Sequence, residues 1–123
     1  MIANKDTNTV YLSALLQSDE RFTENCQSLL HVLEKHEIRY KFLSHTKDIW
    51  CRDYMPIQTS AGKFVQFRYE PSCLKGYEEL QSSPREVCAA NGIAPSFSEI
   101  NLDGGNVVHW SDRAIITNRI FSE

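Results

Sequence analysis

The residue types able to do chemistry gather in two short stretches. The first, Thr46-Lys47-Asp48-Ile49-Trp50-Cys51-Arg52-Asp53-Tyr54-Met55-Pro56, crowds a Trp, an Arg and carboxylates where turn residues or strand alternation would be expected. The second is Asn101-Leu102-Asp103-Gly104-Gly105-Asn106-Val107-Val108. Each presents a carboxylate at the mouth of a strand. Two carboxylates facing one pocket, here Asp53 and Asp103, suit a planar cation with several N–H donors. Guanidinium is such a cation, and carboxylates grip it through paired parallel hydrogen bonds. Trp50 offers a face on which it can stack. Gly104 and Gly105 let a strand turn sharply and bring backbone close to a ligand. Each motif also has a plain structural reading, Asp103-Gly104-Gly105 as an ordinary turn and Arg52-Asp53 as an ion pair at a strand end. Their joint occurrence at equivalent points of a repeat favours a site.

The elements that must position these residues follow from the pattern of apolar positions. Thr9 to Leu15 is rich in β-branched and aromatic residues and reads as a buried strand. Ser18-Asp19 can cap a helix whose apolar face is Phe22, Cys26, Leu29, Leu30 and Leu33, ending near His36-Glu37. His31 falls on the other side of that helix, where solvent is expected. Ile38 to Leu43 alternates with period two, completing β-α-β.

After the first motif, Pro56–Thr59 and Lys63–Tyr69 form a hairpin across Ser60-Ala61-Gly62. Glu70 to Gln81 reads as a loop with one helical turn. Ser83-Pro84-Arg85-Glu86 is a helix start with a capping box, and Gly92 suits a helix end. Ser96 to Leu102 is a strand leading into the second motif. A last hairpin pairs Asn106–Trp110 with Arg113–Thr117 around Ser111-Asp112. The order β-α-β, β-β-α-β, β-β is a repeat in pattern, with Asp53 and Asp103 in equivalent places before two hairpins. Units related by rotation would bring the two carboxylates to a shared axis. Two units and a piece of a third do not close a ring, so the chain reads as a single partial domain over residues 1–123, with a hairpin edge open to self-association.

Composition narrows the partners. With 41% hydrophobic and 24% charged residues, the chain of 123 is an ordinary globular one and not disordered. A net charge of −3 with scattered Lys and Arg provides no basic stripe for nucleic acid. No apolar run approaches the ~20 residues of a membrane helix, and the first residues lack the apolar core of a signal peptide. A cytoplasmic location is expected. Cys26, Cys51, Cys73 and Cys88 show no C-x-x-C spacing, and His31, His36, His45 and His109 no H-x-x-x-H spacing. Neither a metal nor another cofactor is expected, and the cysteines read as free thiols.

Asp48-Ile49-Trp50-Cys51-Arg52-Asp53-Tyr54-Met55-Pro56 resembles the D-x-W-x-R-D-x-x-P segment of the agmatine deiminase and bacterial-type peptidyl-arginine deiminase family. Leu102-Asp103-Gly104-Gly105-Asn106-Val107-Val108 is similar to its [E/D]-G-G-N motif, and Ala114 to Phe121 to the strand and turn that follow. The resemblance spans nearly the whole chain in order and spacing. It implies an α/β fold of pentein type, here an incomplete propeller of about two ββαβ units plus the first hairpin of a third. It also implies cysteine-dependent hydrolysis of a guanidino group with release of ammonia. Asp53 and Asp103 would then hold the guanidinium of a small-molecule or peptidyl substrate. Trp50 would line the pocket, Arg52 would buttress the loop, and Gly104 and Gly105 would support it.

The family's G-H-x-D-G segment and its Gly-rich segment with the nucleophilic Cys have no counterpart in this sequence. His109 stands in a hairpin, and Cys51 occupies a variable, commonly apolar position of the motif. Asp103 in place of the commoner Glu shortens the reach by one methylene. The expectation is the N-terminal portion of a guanidino-group hydrolase, inactive alone, with nucleophile and base beyond Glu123. The alternative is a non-catalytic guanidinium-binding or interaction module on the same fold.

Overall fold

The computed structural model describes Ala3, residues 6–110 and residues 112–121. Strand β1 (Thr9–Ser13) pairs in parallel with β2 (Arg39–Leu43), Thr9 opposite Arg39 and Ser13 opposite Leu43. A parallel pair needs a crossover, supplied by a short helix α1 (Leu15–Ser18), a 3-10 turn (Glu20–Phe22) and helix α2 (Thr23–Lys35). The strand expected through Leu15 stops at Ser13. There the fully buried Ser13 hydroxyl accepts the Leu15 N–H at 3.2 Å and bonds Thr46 Oγ1 at 2.6 Å, and Ala14 takes helical torsions. Asp19 caps the 3-10 turn through the Arg21 N–H, not α2 itself, which starts at Thr23. On α2, Cys26 and Leu33 are buried and Leu29 and Leu30 half-buried, as is Phe22 just before the helix, while His31 is exposed.

Beyond the first motif, helix α3 (Cys51–Tyr54) leads to a three-stranded sheet in the order β3 (Ile57–Ser60), β4 (Lys63–Arg68), β5 (Ser96–Asn101). The β3–β4 hairpin turns at Gly62, whose φ of 70° is left-handed. Helix α4 (Pro84–Ala90) carries the chain from β4 to the parallel β5. The Ser83 hydroxyl accepts the Glu86 N–H at 3.4 Å, and Pro84 opens the helix. Between β4 and α4 lie two 3-10 turns, Ser72–Leu74 and Glu78–Leu80, where one helical turn was expected. A further 3-10 turn (Gly104–Asn106) precedes the antiparallel β6 (Val107–His109) and β7 (Ala114–Ile116). Of the expected Ser111-Asp112 turn, Ser111 lies outside the described residues. The tail at Asn118–Phe121 is another 3-10 turn.

The chain is thus mixed α/β, with four helices and strands divided among separate sheets of two, three and two strands, and no closed barrel among the described residues. Its main core is Leu43, Cys51, Tyr54, Tyr69 and Val87, with Met55 and Ile93 packed against them. That cluster joins the end of β2, helix α3, the exit of β4 and helix α4. The first motif is therefore built into the core. The last hairpin differs: Val107 is buried, but Val108 and Ile115, on its other face, are 51% and 64% exposed. No helix among the described residues is long and apolar enough to cross a membrane.

Candidate functional site

The first motif is organised by a residue that sequence reasoning left unassigned, Asp48. Its Oδ1 accepts the Trp50 N–H at 2.8 Å, a side-chain-to-backbone turn. Its Oδ2 accepts the hydroxyl of Ser82 at 3.1 Å, and the same fully buried hydroxyl accepts the Lys47 N–H at 2.9 Å. Tyr54, completely buried, donates its phenol to the Asp48 carbonyl at 3.1 Å. Burial holds the Asp48 carboxyl above the ordinary carboxylate value, against the hydrogen bonds from Trp50 and Ser82; the charge of Asp53 adds to the rise. The sequence signal for this network was local, an Asp two residues before a backbone N–H that starts a turn. Ser82, far along the chain, left no such signal.

On this frame Asp53 is half-buried and Trp50 leaves 67% of its surface exposed, an open aromatic face. Cys51 points inward. Its Sγ lies 3.2 Å from the Tyr54 hydroxyl, and burial pushes the thiol up, away from the thiolate a nucleophile needs.

Arg52 ties the second motif to the first. Its Nε donates to the Gly104 carbonyl at 3.3 Å and its Nη2 to the Val107 carbonyl at 2.8 Å. The ion-pair reading of Arg52-Asp53 is corrected by this, since the guanidinium is directed at two backbone oxygens. The reason for the glycines also changes. A Cβ on Gly104 would run into the carbonyl oxygen of Arg52, and one on Gly105 into Oδ1 of Asp53. The close approach that the glycines permit here is one between the two motifs. Asp103 is half-buried, and its Oδ2 accepts the side-chain amide of Asn106 at 3.2 Å while its carbonyl accepts the Asn106 N–H.

Residues of the two motifs are thereby in contact, Arg52 and Asp53 against Gly104 and Gly105. Tyr69, nearly buried beneath them, reports the charge gathered there. Its hydroxyl is pushed up by burial first, then by Asp48, Asp53 and Asp103 in turn. Three carboxylates thus act on one phenol, with the Arg52 guanidinium set between the two motifs. Two clefts lie elsewhere. One of about 590 Å³ is lined by Glu70, Lys75 and Glu78 among others, and one of about 310 Å³ by Arg68, Arg85 and Phe97; neither is lined by Asp53, Asp103 or Trp50. No group of His, Cys, Asp and Glu among the described residues has the arrangement to hold a metal ion.

His109 is half-buried in β6, and its Nδ1 is buried without a hydrogen-bond partner among the described residues. Burial and then the positive charge of Arg52 hold its pKa below 6.5, so the ring is neutral at pH 7.

No protein-family model matches this chain, and no curated protein sequence matches it.

Proposed function

We propose that the chain supplies the guanidinium-holding carboxylates of a guanidino-group hydrolase, of the agmatine or peptidyl-arginine deiminase class, on part of a pentein-type propeller. Asp53 and Asp103 are the holding pair and Trp50 the stacking face. The observation that carries the reading is the lock between the motifs: Arg52 grips Gly104 and Val107 while Asp53 lies over Gly105. The element order, two successive units ending in strands and then a hairpin, is consistent with the repeat of such a propeller.

In that chemistry a thiolate attacks the guanidinium carbon and ammonia leaves with a proton from a general acid. Water, giving a proton to a base, then attacks the thiouronium carbon, and the C–S bond breaks to release the ureido product and restore the thiolate. The paired carboxylates hold the cation in line for attack. Cys51 does not serve, being buried beside Tyr54 with its thiol pushed up. Among the described residues no nucleophile and base are placed for that step, and the chain alone is expected to bind without turning over. That same closed-off Cys51 favours a second reading, a guanidinium-binding module with no catalytic role.

The test is calorimetric titration of the chain with agmatine, with ammonia release followed in parallel. Binding without ammonia is expected, weakened more than about tenfold by Asp53→Asn through loss of a charge-assisted acceptor. Absence of binding, or binding indifferent to Asp53→Asn, overturns the reading. Ammonia release abolished by Cys51→Ser would instead make Cys51 the nucleophile.

A further inference from the structure

Asn91 closes helix α4 with φ −108° and ψ 10°, and its side chain works at long range. Its Oδ1 accepts the Ser44 N–H at 3.1 Å, and its Nδ2 donates to the Ser44 carbonyl at 3.1 Å and to the Val87 carbonyl at 2.7 Å. A primary amide here does for Ser44 what a neighbouring strand would do. The clip fastens the end of β2, just before the Thr46–Trp50 segment, to the end of α4. Residue 92 is glycine, left-handed at φ 68° and exposed, and Asn91-Gly92 is the single Asn-Gly step in the sequence.

We propose that Asn91-Gly92 is a self-modification site, where deamidation by water irreversibly releases this clip. The Gly92 backbone nitrogen loses its proton to hydroxide and attacks Cγ of Asn91. The new N–Cγ bond closes a cyclic imide as the Cγ–Nδ2 bond breaks, and Nδ2 departs as ammonia after taking a proton from water. Water then opens the imide. Cleavage at Cγ yields aspartate, and cleavage at the Asn91 backbone carbonyl carbon yields isoaspartate. Net, the side chain exchanges NH for O, and no oxidant or cofactor takes part.

The folded state restrains the first step in two ways. Both ends of the amide are held by Ser44 and Val87. The Gly92 N–H that must be lost is directed at the Ala89 carbonyl, at 3.4 Å. Once α4 opens at its end, no side chain at residue 92 shields the attacking nitrogen, because glycine has none. The product cannot restore the clip. A carboxylate oxygen in place of Nδ2 faces the Ser44 and Val87 carbonyls, acceptor against acceptor, and isoaspartate also inserts a methylene into the backbone at the cap.

The test compares deamidation of the whole protein in mildly alkaline native buffer and in denaturant, by mass spectrometry of the peptide containing Asn91. The native rate is expected to be more than about tenfold slower and to rise with sub-denaturing denaturant, as for a reaction gated by local opening. Isolated deamidated protein should show faster amide exchange over residues 44–50 than unmodified protein, and Asn91→Asp should reproduce it. Equal rates in native buffer and denaturant would overturn the gating. Unchanged exchange over residues 44–50 in the deamidated protein would overturn the release.

Discussion

The two carboxylate-bearing turns occupy equivalent places before two hairpins, yet they are held in opposite ways. The turn at Asp53 is fixed from within the core: Asp48 and Ser82 set its entry, and Tyr54 anchors it beneath. The turn at Asp103 is clasped to Asn106 and held beside its neighbours by Arg52, by the Leu102 N–H on the Arg68 carbonyl, and by two glycines that admit its backbone against the first turn. The expected dependence therefore runs from the first motif to the second. Disturbing the second turn should leave the first intact, whereas disturbing the first should displace both.

The strongest way to break this dependence is Gly104→Ala. The added Cβ meets the carbonyl oxygen of Arg52, backbone against backbone, and a loss of about 3 kcal/mol is expected in denaturant unfolding, at the upper end of overpacking costs. In whatever remains folded, Trp50 N–H exchange should stay slow, because its bond to Asp48 does not involve the second turn. Fast exchange there would show that the two turns depend on each other.

Arg52→Met comes next. It removes two charge-assisted bonds to carbonyls while keeping the aliphatic stem, and about 2 kcal/mol should be lost by thermal or chemical denaturation. The smallest effect concerns His109. Its folded pKa lies below its ordinary 6.5, so the fold favours the neutral ring. Its contribution to stability is complete above about pH 6.5 and is lost as pH falls through that value toward the folded pKa. His109→Gln should flatten the melting temperature between neutral and mildly acidic pH; an unaltered slope would place the titration elsewhere.

Much of the scaffold was legible because its causes are local. The period of Phe22, Cys26, Leu29, Leu30 and Leu33 marks the buried face of α2, and Ser83-Pro84 marks the start of α4. Gly92 has the left-handed torsion its position implied. The early end of β1 escaped because Leu15 is as apolar as its predecessors, and the stop comes from a hydroxyl shared with Thr46. The same limit applies at the candidate site. Residue types named Asp53, Asp103 and Arg52 as the groups to watch. That Arg52 would reach two carbonyls, that Ser82 would hold Asp48, and that the glycines would make room for the first motif are long-range contacts, and no local pattern encodes them.

The packing of Gly104 has a consequence for how this sequence can drift. A clash with a side chain can be relieved by shrinking that side chain, so such positions change in pairs. Here the obstacle is a carbonyl that every amino acid carries. No replacement at position 52 makes room for a Cβ at position 104, and a search through double variants should find glycine retained there whatever stands at 52.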